Sequence, residues 1–318
     1  TRENNTFRID NVTADLAATS THAFSFVNGA ETDLTLSVTN STFSLFGKTY
    51  AYFIIYNSGG DANAVARRVN LTVASSSITI DTQNTAVASS ISSPMWRDSS
   101  LAFIECNIFA NHSVTRAGYL TASSAVLNNS KISFLRCTLR RGEVAHDFSG
   151  RAATYPNGLY GGFFEILDAT MFGTEIIIEE SDIFTEPPLD PIFFLVGVRM
   201  KNTNMTDSSK LIFASTNMTI ISPNKRGAAI LATQTRLESS SEIGIEENSM
   251  MNLWADQVYT HGLWLSTDCF VGGKSQLFIR SSQINIHTNV SSGAAVLIQA
   301  STFEESTVEV KQSTINVN

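Results

Sequence analysis

"SLAFIECNIF", residues 100–109, and "KISFLRCTLR", residues 131–140, decide how this chain reads. Each phrase runs apolar, gap, apolar, two further positions, cysteine, then polar and apolar. Cys106 and Cys137 therefore fill one slot of a repeated phrase. Used as a probe, the phrase finds nine copies: LSVTNSTF at 36, LTVASSSI at 71, LAFIECNI at 101, ISFLRCTL at 132, IIIEESDI at 176, LIFASTNM at 211, IGIEENSM at 243, LFIRSSQI at 277 and VEVKQSTI at 308. The copies start 30 to 44 residues apart. Self-similarity at such a period marks stacked structural repeats.

The columns of the alignment are coherent. The first, third and eighth positions are apolar in every copy, and the seventh is polar. The sixth holds Ser41, Ser76, Cys106, Cys137, Ser181, Thr216, Asn248, Ser282 and Ser313. Two period-two runs separated by a bend describe two short strands with a small inward residue between them. A second phrase, as in AILATQTRL at 229–237, LWLSTDCF at 263–270 and VLIQASTF at 296–303, adds about one more strand per unit. No helical period is visible, and the units are too long and lack the Leu/Asn signature of leucine-rich repeats. The expected fold is all-β: a right-handed parallel β-helix of about nine coils, each of 30–35 residues with three short strands, as one domain over 1–318.

The pattern resembles the right-handed parallel β-helices of the pectin-lyase-like superfamily over essentially the whole chain. The phrase style, S-x-φ-x-φ-x-x-[Ser/Cys]-x-φ and rich in Ser, Thr and Asn, resembles large surface proteins of kinetoplastid protists, the dispersed gene family among them. The resemblance implies either a surface scaffold or a polysaccharide-cleaving enzyme. Such an enzyme needs paired carboxylates at a sugar bond, or a Ca²⁺ site with an Arg or Lys base. Three acidic clusters stand out: Glu179, Glu180 and Asp182; Glu246 and Glu247; Glu304, Glu305 and Glu309. None forms the Asp-Asp and Gly-His-Gly arrangement of a polygalacturonase, and Thr260-His261-Gly262 is a fragment of one. These are read as solvated carboxylates and a loop histidine, so no catalytic residue, metal ligand or cofactor is assigned.

Composition narrows the partners. The net charge of −8, with only 16% charged residues, opposes nucleic-acid binding, which needs clustered Lys and Arg. Roughly a quarter of the residues are Ser or Thr, so the surface is polar through hydroxyls. No apolar run reaches the length of a membrane span. Nine N-x-Ser/Thr sequons lie at Asn4, Asn11, Asn40, Asn70, Asn111, Asn128, Asn204, Asn217 and Asn289, and none falls in an inward column. A secreted or cell-surface glycoprotein is expected.

The longest interval carries an insertion at 140–162, in which Arg140, Arg141, His146, Asp147, Tyr155 and Tyr160 are candidate contacts for sugar or protein. Corners at 184–191 and 252–262 are also elaborated. Trp254 and Trp264 flank or join the second, as corner packing or as a sugar-stacking platform. No helix or polar cap follows the last repeat, so two expectations stand: a piece of a longer β-helix, or ends that stack on neighbouring subunits as a fibre. Cys106 and Cys137, one coil apart, lie within disulfide range, roughly 4.4–6.8 Å between Cα atoms. A bond and stacked free thiols both remain open. Cys269 falls in an outward slot without a mate.

Overall fold

A computed structural model describes residues 5–27, 33–57, 65–82, 85–92, 95–112, 116–143, 160–185, 194–222, 227–255, 260–288 and 293–318. The chain winds as a parallel β-solenoid. One sheet stacks ten strands, from Asn5–Asp10 and Leu34–Thr39 through Ser100–Ile104 and Lys131–Leu135 to Gln276–Arg280 and Thr307–Lys311. The nine repeat phrases are nine of these rungs. The tenth, Asn5–Asp10, escapes the phrase because Val12 stands where the other copies carry a small polar residue or cysteine.

Register follows the alignment residue for residue. Leu101 pairs with Leu71 and Ile132, and Phe103 with Val73 and Phe134. In-register parallel pairing places like residues on like residues, so one inward column runs the length of the rod. In that column Phe103 stacks on Phe134 at 5.0 Å, and Phe134 meets Phe164 of strand Tyr160–Leu167, in the other sheet, edge-on at 5.2 Å. All three are fully buried. Burial of such rings dominates the core energetics, at about 25 cal/mol per Å² of apolar surface.

Five of the coils carry four strands rather than three; the coils beginning at Leu34, Glu242 and Gln276 carry three, because two of their strands run on as one. Ser100–Ile104, Asn107–His112, Arg116–Ser123 and Val126–Asn128 make one turn. The fourth strand is three residues long with one inward side chain, Leu127, too short for a period to register. Three sharp bends separate the strands, at Glu105–Cys106, Ser124–Ala125 and Asn129–Ser130. The fourth corner, after His112, varies in length from coil to coil.

The sharp bends have one construction. A residue in the left-handed region, such as Glu105 (φ 54), Ser124 (φ 50) or Asn129 (φ 46), is followed by a small inward residue. Left-handed backbone costs a non-glycine residue about 1–2 kcal/mol. The bend offsets this by hydrogen bonding. The amide of the left-handed residue donates to the next coil, as Glu105 N to Leu135 O at 2.8 Å and Ser124 N to Leu167 O at 2.9 Å.

The coil beginning at Glu242 corrects the column assignment. Its first bend takes two left-handed residues, Glu247 (φ 57) and Asn248 (φ 61), instead of one. Asn248 is therefore exposed, and Ser249, fully buried, fills the inward slot. The apolar position moves with it: Met251 is buried and Met250 exposed. Cys269 is also corrected. It is inward and 2% exposed, because Thr267 and Asp268 add a residue to the second bend of its coil.

Candidate functional site

The inward slots of the first bend form a hydrogen-bonded ladder. Ser181 Oγ donates to Glu179 O at 2.8 Å and accepts the Cys137 amide at 3.0 Å. Thr216 Oγ1 donates to Ala214 O at 2.9 Å, and its amide donates to Ser249 Oγ at 3.1 Å. The hydroxyl closes its own turn and satisfies an amide one coil back, which explains why the column needs a small side chain with a donor. The third bend repeats the device with Ser99, Ser130, Thr174 and Ser209. Its signal was present in the sequence as the Ser that opens S-x-φ-x-φ.

Cys106 and Cys137 occupy this ladder as unbonded, buried thiols. Cys106 Sγ donates to Val73 O and Ile104 O, both at 3.3 Å, and Cys137 Sγ to Phe103 O at 3.4 Å. The adjacent Cys106 thiol, together with burial, pushes the Cys137 thiol up, and burial pushes the Cys269 thiol up. Neither of these two has the low pKa and exposure of a nucleophilic cysteine.

The carboxylate clusters are dispersed along the bends and rungs. Glu180 lies 3.9 Å from Arg136, which also holds Glu105 at 2.9 Å, all three half-exposed. Asp182 accepts from Asn217 Nδ2 at 3.0 Å. Glu309 pairs with Arg280. Burial, then the neighbouring Glu247 charge, raises the Glu246 carboxyl above its ordinary value. Among the described residues, no group of three or more His, Cys, Asp or Glu is placed to hold a metal ion. His261 lies in a strand, Thr260–Val271, not a loop; it is 2% exposed and edge-on to Trp264 at 5.0 Å. Gly262 beside it is required by packing, since a Cβ there would meet Ala295 O at 2.5 Å.

The insertion splits. Arg140 and Arg141 belong to strand Thr138–Glu143, whereas His146, Asp147 and Tyr155, with the Tyr160 side chain, lie outside the described residues. Arg140 points outward over the Phe184 ring, 5.7 Å away. Arg141 points inward, 5% exposed, over the Phe163 ring. Outside the coil, Ser77, Thr79, Asn107, Phe109, Thr138 and Arg140 line a shallow groove of about 480 Å³. Trp254 is exposed and stacks flat on His287 at 3.8 Å. Trp264 is buried against Val196, Ala228 and Leu231 in a small cluster separate from the main core.

Seven of the nine sequon asparagines lie among the described residues, and none of the seven is buried. Asn11, Asn40, Asn70 and Asn217 are exposed, while Asn111, Asn128 and Asn204 are half-buried on strands. Asn4 and Asn289 fall outside the described residues. Asn11 and Asn40 take the left-handed conformation at the first bend, a geometry asparagine tolerates well.

Sequence reasoning missed one buried ionic contact. Glu165, 3% exposed, and Arg199 pair in register on neighbouring coils with their charged atoms 3.5 Å apart. Their columns alternate outward, so period two marks them as exposed.

Among the described residues no helix is long and apolar enough to cross a membrane. Compared with protein-family models and with curated proteins, the sequence matches none.

Proposed function

We propose that this chain is the rigid shaft of an extracellular, glycosylated structural or adhesive surface protein. The observation that carries the reading is the distribution of the sequons. Every described one lies on the outer surface or at a bend, in a rod whose exterior is otherwise hydroxyl- and amide-rich. On the outer side of strands Met250–Ala255, Gln283–Thr288 and Thr314–Val317, Asn285 Nδ2 donates to Asn252 Oδ1 at 2.7 Å and Asn316 Nδ2 to Asn285 Oδ1 at 2.8 Å, a polar ladder without charge. The resemblance to pectin-lyase-like β-helices and to kinetoplastid surface repeats supports the same setting, secreted or at the cell surface, with covalent N-glycans as its modification. Glycopeptide mapping of native material is the test. Occupancy at Asn11, Asn40, Asn70 and Asn217 is expected, and unmodified asparagine at every sequon would sink the reading.

One observation favours a second reading, a carbohydrate-binding module. The groove beside Phe109 and Arg140 combines an aromatic edge, a cation and four polar side chains, the mixture that sugar recognition uses. Glycan-array binding that is lost in Phe109→Ala, with unfolding unchanged, would establish it. A polysaccharide lyase or hydrolase on the same fold would add turnover of an acidic polysaccharide, read in the same assay.

A further inference from the structure

Of the three tryptophans, the fold leaves only Trp254 in solvent. It is 47% exposed, whereas Trp96 is fully buried and Trp264 nearly so. Its strand, Met250–Ala255, belongs to an inner coil, paired with Asn217–Ser222 on one side and Gln283–Thr288 on the other. The indole is held rather than loose. Trp254 and His287 pair in register, and their rings stack at 3.8 Å, 13° from parallel. The in-register neighbour on the other side is Ile221, half-buried and shorter. The indole therefore stands above Ile221 with one face backed by imidazole.

The column beside it is an amide ladder. Asn252 and Asn285 precede Trp254 and His287 by two residues, so they share the outer side of their strands. Asn285 Nδ2 donates to Asn252 Oδ1 at 2.7 Å, and Asn252 Nδ2 donates to Thr219 Oγ1 at 3.5 Å. A primary amide has two N–H donors and two acceptor sites. Asn252 therefore keeps one N–H and one acceptor site open next to the indole. Asn285 keeps one N–H, because its Oδ1 already accepts from Gln283 Nε2 at 2.9 Å and Asn316 Nδ2 at 2.8 Å.

We propose that Trp254, Asn252 and Asn285 form a binding site for a neutral saccharide, its ring stacked on the indole and its hydroxyls bonded to the two amides.

The chemistry of the patch selects this ligand. The three strands read NMTIIS, MMNLWA and QINIHT, with no charged residue among them. They offer no partner to a carboxylate, sulfate or phosphate, which sets aside acidic sugars and nucleic acid. A sugar ring presents apolar C–H faces and hydroxyls that both donate and accept. An indole face beside half-used amides complements both. A protein partner would instead seek an apolar surround about its aromatic anchor. Here the surround is Thr219, Asn252, Asn285 and His287, and exposed Met250 lies beyond the amide column. The stack on His287 fixes the indole before a ligand arrives, so little rotamer freedom is lost on binding.

The site is separate from the groove at Phe109 and Arg140, which carries a cation. Strand Asn107–His112 lies four rungs away in the same sheet, about 19 Å at about 4.8 Å per rung. Nor does the site rest on the shaft reading. Glycopeptide mapping tests the shaft and Phe109→Ala tests the groove, so each can fail alone.

The test titrates chain 1–318 with neutral hexasaccharides of glucose, mannose and xylose, with oligogalacturonate as the acidic control. Tryptophan emission is the readout, because the other two indoles are buried. At least one neutral hexasaccharide should shift the emission to the blue and protect it from iodide quenching. Calorimetry then follows the variants. Trp254→Ala should weaken binding of that sugar by at least about tenfold. Trp254→Phe, which keeps an aromatic face, should lose less. Asn252→Ala should weaken it by about threefold to tenfold. Phe109→Ala should leave it unchanged. Thermal unfolding of each variant separates binding from folding. No binding by any neutral hexasaccharide, preference for oligogalacturonate, or affinity that survives Trp254→Ala in a folded chain would overturn the proposal.

Discussion

The three sharp bends and the fourth corner of the coil do the same geometric work under different constraints. At the first bend nearly every coil spends two residues, one left-handed and one small and inward, and the coil at Glu242 spends three. At the fourth corner the interval between strands is two residues after Thr82, three after His112, sixteen after Glu143, eight after Thr185 and four after Ser222. The bends are bound to neighbouring coils by hydrogen bonds, and at Glu247–Asn248 and Thr267–Asp268 an added residue is absorbed as a second left-handed one. No such constant slot recurs at the corner, and added length there is expected to cost little beyond loop closure. The repeat phrase is therefore the signature of the first and third bends, and extra length gathers at the corner and, in one coil, at the second bend, where seven residues separate Asn57 from Val65.

Breaking a bend tests this most severely. Glu180 sits at φ 47 and its amide donates to Ala214 O at 3.0 Å. Glu180→Pro removes the donor and cannot adopt that φ, so a loss of about 3 kcal/mol or more is expected in denaturant unfolding. Glu180→Gly, which relieves the strain, should stay within about 1 kcal/mol of the native chain. Equal losses in the two variants would show that the left-handed backbone is not what the position demands.

The next effect lies one residue on. Ser181→Val keeps the size of the side chain but leaves the Cys137 amide without its acceptor inside the rod, while the Glu179 carbonyl loses one donor and keeps the Arg136 amide at 3.0 Å. An unsatisfied buried group of this kind costs about 1–3 kcal/mol, so a loss of roughly 2 kcal/mol is expected. Ser181→Cys should lose less, because the thiols of Cys106 and Cys137 already serve the same slot.

Lengthening the corner sharpens the contrast. Inserting Gly-Ser-Gly-Ser between Thr82 and Thr85 takes the interval from two residues to six. Loop-closure entropy rises by only about 0.6 kcal/mol per doubling, so a loss near 1 kcal/mol is expected. An insertion that unfolded the chain would put the corner under the same constraint as the bends.

Legibility in the sequence follows the same division. The bends were legible because their inward slot has a fixed chemistry and a fixed distance to the apolar columns. Where that chemistry lapses, reading fails. Val12 hid the first rung, and an extra left-handed residue shifted Asn248, Ser249 and Cys269 by one place. The outer face from Glu165 to Trp264 was illegible for a different reason. Its residues alternate outward, and their burial depends on contacts across the face that a period of two does not carry. Candidate contacts fared in the same way, with Arg140 outward and Arg141, its neighbour by one step of the alternation, inside the rod.

A smaller effect separates the two readings of the cysteines. The slot that holds Cys106 and Cys137 holds Ser in neighbouring coils, so Cys106→Ser with Cys137→Ser should change stability by less than about 1 kcal/mol. With all three thiols buried and unbonded, a thiol reagent should label none in the native chain and three after denaturation. Labelling of only one after denaturation would reveal a disulfide between the pair.

The smallest expected effect is a pH dependence confined to the bends. Thr39 and then Asn40 hydrogen-bond the Asp10 carboxyl, Arg68 holds Asp33, and Asn129 and then Arg97 hold Asp98, each keeping its carboxyl below the ordinary value. Asp33 and Asp98 are themselves left-handed bend residues, and Asp10 precedes one. A carboxyl lowered by folding stabilises the fold at pH above its unfolded value, here near 3.8. That stability is lost as pH falls through the lowered one. Glu246, raised by burial, runs the other way, contributing below the ordinary glutamate value and losing its contribution as pH rises through the raised one. Since Asp10 is solvent-exposed and Asp33 and Asp98 are partly so, the loss should be a shallow decline in unfolding midpoint below about pH 4, screened by salt. Replacing Asp10, Asp33 and Asp98 together by Asn should flatten that decline, while Glu246→Gln should leave it in place. An acid decline that survives the triple replacement would move its origin from the bends to the rungs between them.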